Sequence, residues 1–320
     1  MSEEMHQVKP DESAIRFLWG KALRHWRWGL QQGFGRLIEE DQLDPLTRVA
    51  NAARKWRWRR AHGVAPGHAV PVYLVGVQRS GTNMLVRGLE RSPEFETHNE
   101  NDRRVFHRFQ LRSDATVAAV VCASRHRYVL FKPLCDSHRV DHLLDHLSAQ
   151  APGRAIWAYR GVDGRARSAV AKFGDSNLRV LAEIAAGGGA RRWQAQRLSQ
   201  ESLELIRSFD YSAMTPESAA ALFWYVRNAL YFELGLHDRD DVMLSSYDAL
   251  VADPELAIRP LCEFLGVAWD PRLVAHISPR PNSARPPLPL DPEIRARCDA
   301  LQASLDNAVA EKARVVRKIT

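Results

Sequence analysis

The sequence has few cysteines and no long hydrophobic run, and these absences exclude several classes of protein. Its four cysteines, Cys122, Cys135, Cys262 and Cys298, show no paired spacing. This argues against a zinc site and a disulfide framework, and favours a reducing compartment. No apolar run approaches the roughly 18 residues that span a bilayer. The acidic first residues lack the pattern of a signal peptide, so we expect a cytoplasmic protein, with peripheral attachment to a membrane as an alternative.

The charge balance favours a negatively charged ligand. The 320 residues include 45 basic and 38 acidic side chains, for a net charge of +7. A basic protein attracts anionic substrates or surfaces. Its arginines are scattered and no nucleic-acid-binding motif is present, so we expect no nucleic-acid partner.

Residues 1–69 have the composition of a helical extension rich in Trp and Arg. Asp11 and Ser13 could cap one helix, and a second could cover residues 43–60. Two interpretations are open for the run Lys55–Arg60, which alternates basic residues with tryptophans. It could lie on an anionic membrane surface, or its tryptophans could pack on the main domain while its arginines stay solvated.

Residues 70–287 alternate short apolar segments with helical patterns, which predicts a three-layer α/β/α domain with a central parallel sheet. The longest helical pattern is Pro216–Leu234, with Thr215 as its N-cap. Residues 288–320 read as a C-terminal helix that packs on this domain and starts at Asp291-Pro292. The predicted strands are Val72–Val77, Tyr128–Phe131, Ala155–Tyr159 and Val242–Ser246.

The first predicted strand leads into a glycine-framed loop, Gly76 to Gly81, and then into a helix. Backbone N–H groups in such a loop, together with the helix N-terminus, bind phosphate or sulfate oxygens. A nucleotide triphosphatase would carry Lys after the second glycine, where this chain has Thr82. Its cation, Arg79, lies inside the loop. Further donors are available on Ser80, Thr82 and Asn83.

A second group of polar residues follows the other strands. Lys132 follows the second strand and Arg160 the third, where ligands bind in parallel sheets. Ser168 comes eight residues after Arg160, on the next predicted helix. An Arg and a hydroxyl so placed could hold a second phosphate. We expect the other charged residues of this segment to be surface charges: Asp163, Arg165 and Arg167.

Together these motifs resemble the 3′-phosphoadenylyl sulfate (PAPS) sulfotransferase family, over roughly residues 70 to 285. Gln78–Asn83 looks like the family's 5′-phosphosulfate loop, and Arg160 with Ser168 looks like its 3′-phosphate motif. Ser246–Pro254, followed by Leu261–Val267, is similar to a third family stretch. Cytosolic small-molecule members carry Lys in place of Arg79. The chain therefore looks closer to bacterial and carbohydrate-type members, in which a Glu follows the first helix, as Glu100 does here.

The resemblance implies a P-loop-like sulfotransferase fold and transfer of a sulfuryl group from PAPS to a hydroxyl or amine. It implies no metal requirement, and it leaves the acceptor open, a saccharide or lipid headgroup among others. Arg79 and Lys132 would stabilise the leaving phosphate and the moving group, and Glu100 would be the base, with His98 and His138 as alternatives. The implied nucleotide-binding residues are Arg79, Ser80, Gly81, Thr82, Asn83, Arg160, Ser168 and Arg285.

Two other functions are compatible with the sequence. One is a P-loop phosphotransferase that uses ATP, and the other is a non-catalytic protein that binds a membrane surface through the basic extension. The glycine run Gly187–Gly189 also has two interpretations. It could belong to a flexible segment over the site, or to an ordinary surface loop.

Overall fold

A computed structural model describes residues 45–147, 152–280 and 285–319. By its internal contacts the chain divides into two compact units, residues 1–54 and 55–320. The described part of the first unit is 45–54, which begins helix α1 (Pro45–His62). The helix predicted to start at Asp11 and Ser13 lies outside the described residues. The predicted domain division after residue 69 stays a prediction.

The second unit contains most of the regular structure. Its strands are β1 Val70–Gly76, β2 Phe95–His98, β3 Phe106–His107, β4 Gln110–Leu111, β5 Tyr128–Phe131, β6 Arg154–Tyr159 and β7 Val242–Ser246. The helices after α1 are α2 Thr82–Glu90, α3 Asp114–Ala123, α4 Val140–His146, α5 Val162–Phe173, α6 Ser176–Ala185, α7 Gln200–Arg207, α8 Pro216–Glu233, α9 Tyr247–Ala252, α10 Pro254–Leu265 and α11 Pro292–Ile319. Short 3-10 helices cover Leu134–Arg139, Gly188–Arg191, Trp193–Ala195, Leu236–Asp238 and Pro271–Leu273.

A five-stranded parallel sheet forms the centre of this unit, in the order β2-β5-β1-β6-β7. β1 pairs with β5 on one side and with β6 on the other, with Val70 opposite Tyr128 and Gly76 opposite Ala158. All the pairings in this sheet are parallel, so the carboxyl ends of its strands meet at one edge. β3 and β4 form a separate antiparallel hairpin.

Helices cover both faces of the sheet because its central strands are apolar on both sides. Tyr73 and Val75 point into a core shared with Trp224 of α8 and Leu305 of α11. The alternate residues of β1 point into a second core, which α2 and α10 cover. The predicted three-layer α/β/α fold is therefore confirmed.

The predicted strands agree with the observed ones to within two residues at each end. β2 was missed because Phe95-Glu-Thr-His98 lacks an apolar run. Thr215 caps α8 as predicted, since its side chain accepts a hydrogen bond from the Ser218 amide. The predicted start of the C-terminal helix is also confirmed, because Asp291 accepts the amide hydrogens of Glu293 and Ile294.

The two tryptophans of α1 that belong to the second unit have different surroundings. Trp58 stacks on His126, with ring centroids 6.1 Å apart and planes 2° apart. Trp56 is 54% exposed, with the Arg60 guanidinium over its ring. One of these tryptophans is therefore packed and the other is exposed. Contact with a membrane surface stays a prediction. Within the described ranges no helix is long and apolar enough to cross a bilayer.

Candidate active site

The loop between β1 and α2, residues 77–81, is framed by two glycines that the backbone requires. Gly76 has φ +120°, and a Cβ added to it would lie 2.2 Å from the Ala158 carbonyl oxygen of β6. Gly81 has φ +80°, and a Cβ there would lie 2.4 Å from a ring carbon of Tyr247. A side chain at either position would thus clash as well as strain the backbone. The glycines that defined the loop in the sequence also determine its path.

Inside the loop, polar groups lie at the N-terminus of α2. Ser80 is 1% exposed, and its Oγ has no hydrogen-bond partner among the described residues. Arg79 has φ +73°, a left-handed conformation that is uncommon for a residue with a side chain. Thr82 is buried where α2 begins. An unpaired buried hydroxyl and free helix N–H groups are suited to bind oxygens of an anion.

The two predicted phosphate motifs meet in the structure. Arg79 of the loop donates from Nε to the Ser168 Oγ on α5, at 3.0 Å and 89 residues away along the chain. Ser168 and Arg79 therefore face the same space. The parallel pairing of β1 and β6 produces this meeting, because both motifs follow the carboxyl ends of adjacent strands.

Arg160 lies at the end of β6 with its guanidinium over the Tyr247 ring, 4.2 Å from the centroid. Trp224 fixes its backbone by donating to the Arg160 carbonyl at 2.8 Å. Burial lowers the pKa of Arg160, and the positive charges of Arg79 and Arg280 act in the same direction. Its Nε is buried and has no partner among the described residues. The cations here are close together, which favours an anion between them.

Arg280 is a site residue that the sequence analysis did not single out. It donates to the Tyr247 hydroxyl. No sequence signal distinguished it, since it lies in an irregular Pro- and Arg-rich stretch. Arg285, which was predicted for this role, is exposed and follows the undescribed residues 281–284. Its role stays a prediction.

The predicted catalytic residues Lys132 and Glu100 form an ion pair. Lys132 Nζ lies 3.1 Å from Glu100 Oε2 and donates to Asn83 Oδ1 at 2.8 Å. Their side chains are 10% and 17% exposed. Three residues predicted from separate segments thus come together beside the N-terminus of α2. A shielded pair of this kind can hold both an electrophilic cation and a proton acceptor.

His98 has its ring nitrogens turned to carboxylates and is buried. Nδ1 lies 2.8 Å from Asp102 Oδ2, and Nε2 lies 3.2 Å from Glu96 Oε1 without hydrogen-bonding geometry. The ring also stacks on Phe131, with centroids 5.4 Å apart. The neighbouring His98 is the main cause of the lowered pKa of Glu96, about 2. This surrounding suits a residue that fixes the segment carrying Glu100.

Arg165 was predicted to be a surface charge, and that prediction is wrong. It is 1% exposed and donates to the carbonyls of Gln78, at 3.2 Å, and Ala220, at 2.7 Å. Burial, and then the Arg79 charge, lower its pKa to about 9. The sequence Gly-Arg-Ala-Arg-Ser hid this role, because its polar composition is typical of an exposed helix. Arg165 therefore stabilises the β1–α2 loop through its bond to the Gln78 carbonyl.

The turn after β5, residues 134–139, is tied to the end of β1. Ser137 Oγ accepts from the Gly76 amide at 3.0 Å and lies 3.1 Å from the Gly76 carbonyl oxygen. Asp136 accepts from the Leu111 amide at 2.8 Å, and burial raises its pKa to about 6. His138 is 4% exposed, and its Nδ1 has no partner among the described residues. This turn brings titratable groups to the edge where β1 ends.

No known family profile matches this chain, and no curated protein matches it. Solved structures do resemble it. The sulfotransferase from Alicyclobacillus acidocaldarius is 16% identical, with a TM-score of 0.39 over 78% of this chain and 96% of that one. The sulfotransferase domain of the curacin biosynthetic pathway is 15% identical, with a TM-score of 0.40 over 73% and 98%. That of the Synechococcus PCC 7002 olefin synthase is 16% identical, with a TM-score of 0.35 over 79% and 98%. All three of these proteins are named as sulfotransferases.

Proposed function

We propose that this chain is a sulfotransferase that moves a sulfuryl group from PAPS to a hydroxyl or amine of an acceptor. The observation that carries the proposal is the 3.0 Å hydrogen bond from Arg79 to Ser168. It joins an anion-binding loop to a second motif suited to phosphate. A nucleotide with phosphates on both its 5′ and 3′ positions fits such a pair of adjoining sites.

Binding of the donor would use groups that now contact one another. The 5′-phosphosulfate would take the loop amides and the hydroxyls of Ser80 and Thr82. The 3′-phosphate would take Arg160 and Ser168, with charge-assisted hydrogen bonds from the guanidinium. The buried Nε of Arg160 and Oγ of Ser80 would gain the partners that the described residues do not give them.

In the transfer itself, one bond to sulfur forms and one bond to sulfur breaks. The acceptor oxygen attacks the sulfur, the bond from sulfur to the bridging phosphate oxygen breaks, and the electron pair stays on the leaving 5′-phosphate. The acceptor proton goes to a base, for which we assign Glu100. Lys132 and Arg79 stabilise the charge that develops on the leaving oxygen, a form of catalysis that requires fixed, preoriented groups.

The ion pair between Lys132 and Glu100 implies that the donor must bind before Glu100 can take the acceptor proton. At 3.1 Å the two groups satisfy each other, so Glu100 is not a free base. A phosphosulfate on the adjacent loop would compete for Lys132, since it carries more negative charge than the carboxylate of Glu100. Donor binding would then release Glu100 for the acceptor, which links proton abstraction to the presence of the donor.

Nucleotide binding tests the proposal without knowledge of the acceptor. Adenosine 3′,5′-bisphosphate should raise the melting temperature, since a ligand at 100 times its Kd stabilises a protein by about 2.7 kcal/mol. Adenosine 5′-phosphate should bind more weakly, because it lacks the group for Arg160. A protein stabilised by Mg-ATP and not by the bisphosphate contradicts the proposal.

A labelled-PAPS transfer screen against cell extracts then seeks the acceptor. Glu255→Gln is a matched control for charge loss, since Glu255 is 56% exposed and pairs with Arg259 within one helix turn.

A further inference from the structure

The segment Gly187–Leu198, here called the flap, folds over the 134–139 turn. Arg197 donates to the His138 carbonyl at 3.2 Å and to both carboxylate oxygens of Asp141, at 2.6 and 2.9 Å. The flap starts at Gly187, with φ +87°, and Arg197 near its end has φ +57°. An ion pair and two left-handed residues thus fix the path of this segment.

Arg227 of α8 is a buried cation beneath the flap. It is 3% exposed, and its guanidinium lies 5.2 Å from the centroid of the Trp193 ring. Burial lowers its pKa, and the charges of Cys135 and Glu233 act in the opposite direction. Among the described residues its one hydrogen bond is a long one, from Nη1 to the backbone carbonyl of Gln194 at 3.4 Å. Nη2 is buried without a partner, and Arg227 forms no ion pair within the part of the chain that the structure describes. A buried unpaired charge is costly, so an anion is the expected complement.

Two more unpaired polar atoms lie in the same neighbourhood. Gln194 Oε1 and His138 Nδ1 are both buried, and neither has a hydrogen-bond partner among the described residues. Gln194 contacts Arg227 through its carbonyl, and His138 is close enough for the charge of Arg227 to lower its pKa, after burial. An amide oxygen accepts hydrogen bonds, and a neutral imidazole nitrogen can accept or donate. Together with Arg227, these atoms suit a molecule with one anionic group and hydroxyl groups.

Cys135 connects this cluster to the proposed reaction site. Burial is the main cause of the raised pKa of its thiol. Glu100 adds to that rise, and Arg227 acts against it. Gln78 of the β1–α2 loop also lowers the pKa of this thiol. Cys135 is therefore near enough to feel the charges of both Arg227 and the proposed base.

We propose that Arg227, His138 and Gln194 form the acceptor subsite, in which Arg227 binds an anionic group of the acceptor. The acceptor class is an acidic hydroxyl compound that bears a carboxylate or a sulfate or phosphate ester. This inference rests on the proposed sulfuryl transfer. Such a site selects acceptors by charge, since a hydrogen bond between charged groups is stronger than one between neutral groups.

The flap also offers a route of access. A cavity of about 250 Å³ lies along it, lined in part by Gly187, Ala195 and Gln196. Burial and the nearby arginines lower the pKa of His138, and Gln196 acts in the opposite direction, so Gln196 is a neighbour of both the cavity and His138.

Sulfate binding to the protein saturated with adenosine 3′,5′-bisphosphate tests the inference, because the nucleotide then occupies the phosphate sites. We expect labelled inorganic sulfate to bind in equilibrium dialysis to the wild type and to Lys132→Met, but not to Arg227→Met. Arg227→Lys should retain a reduced affinity, which shows that loss in the Met variant is not misfolding. With glucose as the neutral reference, glucuronate and glucose 6-sulfate should bind about 10-fold tighter or more, and they distinguish a carboxylate from an ester.

The outcomes separate this inference from the function on which it rests. If the bisphosphate binds but sulfate does not, or sulfate binds equally to Arg227→Met, the acceptor subsite is wrong and the proposed function stands. If the bisphosphate does not bind to the wild type, the proposed function is wrong. A melting temperature of Arg227→Met well below that of the wild type, without added anion, would make Arg227 a structural residue and overturn the inference.

Discussion

Two buried arginines, Arg165 beside the β1–α2 loop and Arg227 beneath the flap, have similar burial and different partners. They are 1% and 3% exposed, and each lies 5.2 Å from an aromatic ring centroid. Burial lowers the pKa of both, to about 9 and about 10. Arg165 donates to two carbonyls at 3.2 Å or less, whereas Arg227 has one long contact and an unpaired Nη2. Burial alone therefore does not show whether a charge serves the fold or a ligand.

The same difference extends to the regions around them. On the donor side, Arg79 is bonded to Ser168, and Lys132 to Glu100 and Asn83, so these residues hold one another in place, although Ser80 Oγ and Arg160 Nε are unpaired among the described residues. On the flap side, His138 and Gln194 keep buried atoms unpaired among the described residues. Preorganisation of this kind suits a nucleotide that is common to every turnover. Buried groups without partners suit a molecule that supplies the missing hydrogen bonds when it binds.

The largest expected effect concerns the donor side alone. Glu100→Gln should lower turnover by about 10²–10⁴-fold, the usual contribution of a general base, because the amide cannot take the acceptor proton. Affinity for adenosine 3′,5′-bisphosphate should stay the same, since the amide oxygen can still accept from Lys132. Turnover is measured with labelled PAPS and the acceptor found in extracts, against the Glu255→Gln control. A fully active variant would move the base to another residue.

The second effect is a direct comparison of the two arginines. Arg165→Met should lower the free energy of unfolding by roughly 3 kcal/mol, because it leaves the buried carbonyls of Gln78 and Ala220 without a donor. Arg227→Met should be neutral or stabilising, since an apolar side chain replaces an uncompensated charge. Urea denaturation of the nucleotide-free proteins measures both. Equal losses would show that the two arginines have the same structural role.

The sequence predicts the structure of the donor side better than that of the flap side. The sequence could predict that Gly76, Gly81, Arg79 and Ser168 lie together, because strand ends and glycine spacing are local signals and a parallel sheet brings them to one edge. β2 was missed because its polar residues Glu96 and His98, which lie 3.2 Å apart, leave it without an apolar pattern.

The buried arginines were not predictable in the same way. Arg165 looked solvated because its neighbours in sequence are polar, and the carbonyls that it binds come from Gln78 and Ala220. Arg227 is the one basic residue of α8, and its role depends on which flap residues fold over it. Tertiary contacts decide both cases, and single-sequence patterns do not contain them.

The third effect tests whether Arg160 binds the 3′-phosphate of the nucleotide. Arg160→Met should weaken binding of adenosine 3′,5′-bisphosphate by about 10–100-fold, the equivalent of a lost hydrogen bond between charged groups. Binding of adenosine 5′-phosphate should change little, because it has no group for Arg160. Calorimetric titration of both nucleotides measures this, with Arg179→Met as the control, since Arg179 is 71% exposed on α6. Equal losses for the two nucleotides would mean that Arg160 acts on the loop and not on the 3′-phosphate.

The smallest effect is a pH dependence on the flap side. Burial, and then the charges of Arg227, Arg139 and Arg197, lower the pKa of His138 to about 4, whereas its unfolded value is 6.5. Between pH 4 and pH 6.5, His138 is therefore protonated in the unfolded chain and neutral in the folded protein. The stability that His138 contributes is complete above pH 6.5 and is lost as the pH falls toward 4, by about 2 kcal/mol between pH 7 and pH 5.

His138→Asn should remove that loss. The comparison must be with the wild type, because the raised pKa of Asp136, about 6, acts in the opposite direction on the same turn. Urea unfolding at pH 7 and pH 5 should therefore show a smaller fall in the variant, whereas His237→Asn, at an exposed position, should behave as the wild type. If His138→Asn loses as much stability as the wild type, His138 is already protonated or paired in the folded protein. Its Nδ1 would then not be free to receive an acceptor, and the contrast between the two regions would rest on Arg227 and Gln194 alone.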